Sequence, residues 1–382
     1  MRLRLHRDEF LMNRHNFFLE RNTRGILGLP FDVIDLNHSV ALIEEVIEQN
    51  THCFLSTPNL NFAIAAHSDT AFFNSVVDSD LSLADGMPLV WVAKLLGVPI
   101  KERVAGSTLF DELSRRPRKK KIRVYFFGGQ QGVAERAHKH LNETSVGMQS
   151  CGFYDPGFVS IEQMSDGAIL DAINAAKADF IVVALGAKKG QAWIQKNREY
   201  LNAPVISHLG AVINFVAGGI QRAPERWQRF GMEWLWRIKQ EPSLWKRYSY
   251  DGLMFVKMLL IYIFPLAVYD RLLKRSACYT QACTISLSRK ADGVVLLKGS
   301  FKVSTLESVK HVFSSILSEE KGQVTMDCFQ LSYIDAAFIA TLLLFRARLV
   351  KQGRKLILTN VPKRIKALFK LNNVWHRFNI EH

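Results

Sequence analysis

The sequence has little of what would mark a secreted protein, a metalloprotein or a familiar nucleotide loop. Its five cysteines, Cys53, Cys151, Cys278, Cys283 and Cys328, are odd in number and show neither CxxC nor Cys/His metal spacing. Reduced thiols in a cytosolic protein are the simple reading, with no metal site expected. There is no GxGxxG and no P-loop. Residues 1–24 are polar and charged without the apolar core of a signal peptide, so they read as a loose arm and secretion is not expected. The apolar run Met258 to Val268 is eleven residues long and contains Pro265. It falls short of the ~20 residues that span a bilayer. Negative charge is scarce as well. With 35 acidic against 50 basic side chains the net charge is +15, which calls for an anionic partner: a phosphorylated substrate, acidic lipid headgroups or nucleic acid.

The chain is 382 residues long and 48% hydrophobic, enough for two domains or for one large domain with an appendage. From Gly25 to Pro204, β-rich runs alternate with helical patterns. Strands are expected at Cys53 to Ser56, Leu81 to Ala84, Arg123 to Phe127, Gly147 to Gly152, Phe180 to Leu185 and Val205 to His208. Helices are expected at Ser39 to Gln49, Leu60 to Ser68, Pro88 to Leu96, Gln131 to Asn142, Gly167 to Ala176 and Gln191 to Leu201. The alternation predicts βαβ units and a mainly parallel sheet of the α/β class.

In such sheets, ligands bind at the carboxyl ends of the strands. Two polar turns stand there: Ser56-Thr57-Pro58-Asn59 and, one βα unit later, Ala84-Asp85-Gly86. Asp85 is the best candidate for a catalytic base, although Asp-Gly is also a common turn dipeptide with no chemistry attached. Glycines close other strands at Gly128-Gly129, Gly186 and Gly210. Glycine at such a place lets backbone N–H groups approach a phosphate at a helix N-terminus. The basic run Arg115, Arg116, Arg118 to Lys121 reads as a solvated loop, with no interleaved aromatics to stack on bases.

Composition changes after Gly218. Between Arg222 and Tyr250 lie Arg222, Arg226, Arg229, Arg237, Lys239, Lys246 and Arg247, with Trp227, Trp234, Trp236 and Trp245 among them. Cations beside indole rings at helical spacing suit a membrane interface; a basic helix packed on the protein's own core is the alternative. The apolar run from Met258 follows, so attachment to one face of a membrane is expected in preference to a crossing. After a polar linker, Arg271 to Ala282, a second unit begins near Thr284. It reads as strands Thr284 to Ser288, Gly293 to Lys298, Gln323 to Asp327 and Lys355 to Thr359, with helices Ser304 to Leu317, Ala336 to Gln352 and Lys363 to Leu371. About 100 residues suffice for an independent α/β domain.

Six blocks, in order, carry a resemblance over residues 25–256: Ser56-Thr57-Pro58-Asn59, Ala84-Asp85-Gly86-Met87-Pro88, Arg103-Val104-Ala105-Gly106-Ser107, Phe127-Gly128-Gly129, Leu185-Gly186-Ala187, and Arg222-Ala223-Pro224 with Glu233-Trp234-Leu235-Trp236-Arg237 and Gln240-Glu241-Pro242. This part resembles the WecG/TagA/CpsF glycosyltransferases. The resemblance implies a Rossmann-like core over residues 25–218 with a helical, membrane-facing appendage over 219–270. It implies inverting transfer of a sugar of the N-acetylmannosamine type from a UDP-sugar to a polyprenyl-diphosphate-linked saccharide, in cell-surface polysaccharide synthesis, with no cofactor. Asp85 would be the base. Thr57, Asn59, Arg103, Gly128, Gly129, Gly186, Gln191 and Asn214 would serve the donor, and Arg237 and Arg247 the acceptor diphosphate.

Three positions depart from the family pattern. Gly190 stands where a glutamine is usual, with Gln191 one place later; Asn214 stands in place of an aspartate; and Leu244 replaces an arginine. Residues 284–382 resemble a STAS domain through Leu331-Ser332-Tyr333-Ile334-Asp335-Ala336-Ala337-Phe338 and Leu356-Ile357-Leu358-Thr359-Asn360-Val361. Ala336 and Ala337 replace both hydroxyls of the phosphorylated Asp-Ser-Ser or Asp-Ser-Thr pattern, so a docking module for a protein partner is expected rather than a phosphorylation switch. The expectation is therefore an enzyme on the inner face of the cell membrane that does not bind nucleic acid. The alternative is a transferase that has lost catalysis and acts as a regulatory or scaffold protein through its STAS-like domain.

Overall fold

The structure is a computed structural model that describes residues 21–219, 223–224, 226–227, 231–287, 294–319 and 322–381. Residues 1–20 of the expected arm, with Arg222, Arg229, Ser288 and Gly293, lie outside the described residues. Residue contacts divide the described chain into two compact units: residues 34–91 with 100–253, and residues 21–33 with 92–99 and 254–381.

In the first unit six parallel strands form one sheet: β3 (Cys53–Ser56), β4 (Leu81–Ser82), β5 (Ile122–Gly128), β6 (Met148–Tyr154), β7 (Phe180–Ala184) and β8 (Val205–His208). Their order is β4-β3-β8-β7-β5-β6, every neighbouring pair parallel. The central strands are buried along their whole length because helices cover both faces, which is why β7 reads as an unbroken apolar run rather than an alternating one. One face rests on a cluster that includes Leu55, Val124, Phe126, Val182 and Val205, the other on one that includes Phe54, Tyr125, Phe127, Ile181 and Trp193. From β3 the chain steps to β4 on one side, and β5 lies across β8 and β7 on the other. The strand order thus reverses at the carboxyl ends of β3 and β8, the usual ligand position in such sheets.

The second unit holds a five-stranded sheet ordered β13-β12-β11-β10-β9: β9 (Thr284–Leu287), β10 (Val294–Phe301), β11 (Val324–Ile334), β12 (Leu356–Thr359) and β13 (Asn379–Glu381). Only β9 runs antiparallel to its neighbour. A hairpin of β1 (Thr23–Ile26) and β2 (Leu29–Asp32) belongs to this unit and packs on the helix Ala336–Lys351. Thr23 and Arg24 thus open a strand instead of ending a loose arm, and residue contacts group residues 23–32 with this unit. Residue contacts also group residues 254–270 with this unit.

The segment around the apolar run is longer than its composition suggests. The helices Trp245–Met258 and Phe264–Lys274 are joined through a π-helical turn at Leu259–Ile263. That wide turn sits just ahead of Pro265, whose ring and missing N–H would otherwise interrupt the ladder. The expected linker from Arg271 is helical through Lys274 and again at Ala277–Thr280. The continuous helix Pro242–Lys274 is 33 residues long and includes an 18-residue stretch of mean hydropathy 2.0, so by length and composition alone it could cross a membrane. The shortness of the apolar run is therefore no argument against crossing.

Candidate active site

Three loops meet at the carboxyl ends of β3 and β4. The Asp85 amide donates to the Pro58 carbonyl at 2.9 Å, and the Val104 amide donates to the Ala84 carbonyl at 3.0 Å. Gly86 has φ +144°, a conformation that side chains rarely adopt, so the glycine is demanded by the backbone after Asp85. Gly106 is demanded by space: a Cβ there would lie 2.3 Å from Leu209 Cδ2 and 3.3 Å from Thr57 Oγ1. The loops thus place Thr57, Asp85, Arg103 and Gly106 together.

Asp85 is half-buried. Desolvation is the main reason its pKa rises from 3.8 to about 6; Arg103 pulls it back down, Glu233 pushes it up, and Arg237 and the Gly106 amide pull it down. A carboxylate so placed is a stronger base than an exposed one, yet still ionised at neutral pH. Arg103 donates to the Glu233 carboxylate, with side chains 13% and 23% exposed respectively. Glu233 and Arg237 stand one turn apart on the helix Glu233–Gln240. The turn before that helix is pressed down at Gly231 (φ +69°), where a Cβ would lie 2.9 Å from Met87 Cβ and 3.0 Å from the Trp91 ring. Arg237 also pairs with Glu241 at 3.7 Å.

The remaining candidates divide into two kinds. Asn59 caps the helix Leu60–Ser68, its Oδ1 accepting from the Phe62 amide at 3.1 Å, so its amide NH₂ is the group left for a ligand. Gly186 has φ +78° with open space about the site of a Cβ. Asn214 is half-buried on the helix Gly210–Val216. Arg247 is exposed over the Tyr248 ring at 4.8 Å, and acts on Asp251, which accepts from Asn61 at 3.1 Å and 3.2 Å. Gly128, Gly129 and Gln191, by contrast, have structural work. The Gly129 amide donates to the Ala184 carbonyl at 2.8 Å, and a Cβ on Gly128 would lie 2.8 Å from that oxygen. Gln191, 1% exposed, donates from Nε2 to Ser56 Oγ at 2.9 Å.

Glu233 beside Arg103 and His208 beside Gly190 are given no role by the sequence. His208, the last residue of β8, is buried, and desolvation lowers its pKa to about 4. A Cβ at Gly190 would lie 2.2 Å from His208 Cδ2. The imidazole fills the space that a side chain at 190 would need, which accounts physically for the glycine there. Among the described residues, His208 Nε2 and Gln191 Oε1 lack hydrogen-bond partners. No motif points to His208, since it ends an ordinary β-run; Glu233 is visible only as part of a helical block.

Residues 24–267 match the model of the Glycosyl transferase WecG/TagA/CpsF family, and residues 285–376 match that of the Mlab, STAS domain. The chain is similar to an N-acetylglucosaminyldiphosphoundecaprenol N-acetyl-beta-D-mannosaminyltransferase of Bacillus spizizenii, 30% identical over 59% of this chain and 86% of the relative. Proteins of the same name from Bacillus subtilis (27% identical, 59% and 86% covered) and Staphylococcus aureus (23% identical, 66% and 94% covered) are similar too.

Proposed function

The chain belongs to the WecG/TagA/CpsF glycosyl transferase family, and from that premise we propose that it moves an N-acetylmannosamine-type sugar from a UDP-sugar to a polyprenyl-diphosphate-linked saccharide, with Asp85 as general base. The observation that carries this reading is the half-buried Asp85 carboxylate, its pKa raised to about 6, with Arg103 and Arg237 acting on it. The acceptor hydroxyl attacks the anomeric carbon and gives its proton to Asp85. The bond from that carbon to the diphosphate oxygen breaks, and UDP leaves with the electron pair, inverting the centre. The charge growing on the diphosphate needs cations or N–H donors. Arg103 and the open backbone at Gly186 would supply them on the donor side, with Thr57 and the Asn59 amide on the sugar. Arg237 and Arg247 would hold the acceptor diphosphate.

The acceptor's lipid tail calls for a membrane, and the proposed location is the inner face of the cell membrane. Support comes from the long helix, which is one-sided. Leu253, Val256, Leu260, Phe264, Val268 and Leu272 are exposed at spacings of three or four residues, while Met258, Ile263, Leu266 and Ala267 are buried by protein. A crossing helix would meet lipid on all sides not covered by partner helices; a helix with one exposed apolar stripe and cations at its ends suits an in-plane position.

The test is incubation with a panel of UDP-sugars and a lipid-diphosphate acceptor. UDP release is expected with one donor, and Asp85→Asn should lower turnover about 10²-fold or more. Undiminished turnover in that variant removes Asp85 from the role. No UDP release and no UDP-sugar binding by calorimetry would favour the reading of a transferase without catalysis.

A further inference from the structure

We propose that Glu233 is a positioning residue for the transfer: it takes the hydrogen bond of Arg103, so that the guanidinium stands beside Asp85 without closing on it and the Asp85 oxygens stay open to the acceptor hydroxyl. This rests on the reading of Asp85 as the base. Arg103 interacts electrostatically with two carboxylates, Asp85 and Glu233, yet its hydrogen bond goes to Glu233. An arginine and a carboxylate left alone in a half-buried site form a two-pronged pair. In that arrangement Asp85 would lose both its basicity and its free lone pairs, and Arg103 would be bound to the base instead of being held for a phosphate.

The position of Glu233 is built rather than incidental. It opens the helix Glu233–Gln240, where the helix dipole favours a negative side chain. Gly231 in a left-handed conformation presses the preceding turn onto Met87 and Trp91, directly after the Asp85-Gly86 turn. Arg237, one turn further along the same helix, also acts on Asp85. The charged groups acting on Asp85 are thus Arg103, Glu233 and Arg237, and the three with Asp85 sum to zero.

Glu233→Gln keeps the shape and removes the charge. Two effects then act in one direction: Asp85 loses a neighbouring anion, and the released Arg103 pairs with it. Both favour the carboxylate, so the acid limb of the pH profile of kcat/KM should move to lower pH by about half a unit or more. kcat should fall about tenfold as the base weakens, donor KM should rise because Arg103 is drawn from the phosphate to Asp85, and Glu233→Asp should restore most of both. The Asp85 titration can also be followed without substrate, by infrared difference spectra of the free protein against Asp85→Asn. Its midpoint should move the same way in Glu233→Gln. An unmoved titration with an unmoved acid limb overturns the proposal while leaving Asp85 as base. If Asp85→Asn retains full turnover, the base assignment fails, and this proposal falls with it.

Discussion

Above pH 6 the Asp85 carboxylate is an anion that the folded protein holds against its own desolvation. Its pKa stands at about 6 in the fold against 3.8 outside it. An acid raised in this way is protonated in both states below 3.8, and the fold loses stability as pH climbs through 6. A difference of that size between folded and unfolded chain corresponds to about 3 kcal/mol. Asp85→Asn should therefore make the protein more stable at pH 7 by up to that amount, with the gain disappearing towards pH 4, while it removes activity. Paired thermal unfolding at the two pH values measures this; a variant equally stable or weaker at pH 7 contradicts the desolvation account. For wild type, kcat/KM should rise with pH, with a midpoint near pH 6, and level off above it. A second prediction concerns Gly190. Restoring the glutamine usual in the family drives a side chain into His208 and should cost about 1–3 kcal/mol. Gly190→Gln with His208→Gly should recover most of it in a denaturant series, because each change opens the space the other needs. Asp85, Arg103 and Arg237 are legible in the sequence because each stands in a recognisable block. His208 is not, since its importance lies in a contact with Gly190 that no spacing reveals.

The elements that escape the sequence have identifiable physical reasons. Thr70–Val77 is a separate helix from Leu60–Ser68, and Asp69 closes one and caps the next. A single aspartate without glycine or proline gives little sign of a boundary. The helix Gly106–Arg115 begins on a glycine that reads as loop, although Gly106 is there for close packing on Leu209. The β1–β2 hairpin turns at Leu27-Gly28 with φ +52° and +85°. That backbone suits a two-residue hairpin turn, but leucine is a poor signal for it. The helix Pro242–Lys274 reads as interrupted at Pro265, whereas the π turn carries it through. Its outer stripe can be tested directly. Leu260 and Phe264 are 65% and 50% exposed, so Leu260→Glu with Phe264→Glu should leave unfolding within about 0.5 kcal/mol. The same pair should sharply reduce co-sedimentation with anionic vesicles, since it removes apolar contact and adds repulsion. Full retention on vesicles would place the attachment elsewhere.

At the level of the whole molecule, the C-terminal unit is assembled from pieces far apart in sequence. The STAS-like sheet and the helix Ala336–Lys351 are legible from Thr284 onward, but the cover on that helix is not, because it comes from residues 23–32. Asp335 caps the helix through the Ala337 and Phe338 amides at 2.9 Å and 2.8 Å, and Gly25 packs so closely that a Cβ would lie 3.3 Å from the Ala336 carbonyl. On another side, the Tyr333 hydroxyl donates to Asp270 at 2.5 Å, and Asp270 also pairs with Lys274 at 2.6 Å. The surface around Asp335, where the STAS pattern would carry its phosphorylated hydroxyl, is therefore met by this chain's own hairpin and long helix. Ile26, Leu29 and Phe31 of the hairpin are at most 1% exposed, and burying each contributes about 1.5–3 kcal/mol. Residues 284–382 alone would lose that cover. Phe31→Ala in the full chain should cost the C-terminal unit about 3–5 kcal/mol. Hydrogen exchange followed by peptide should show faster opening across β10, β11 and Ala336–Lys351, with β3, β7 and β8 unaffected. Protection unchanged in the STAS-like sheet would mean that the hairpin is an ornament, and that this unit folds from residue 284 on its own.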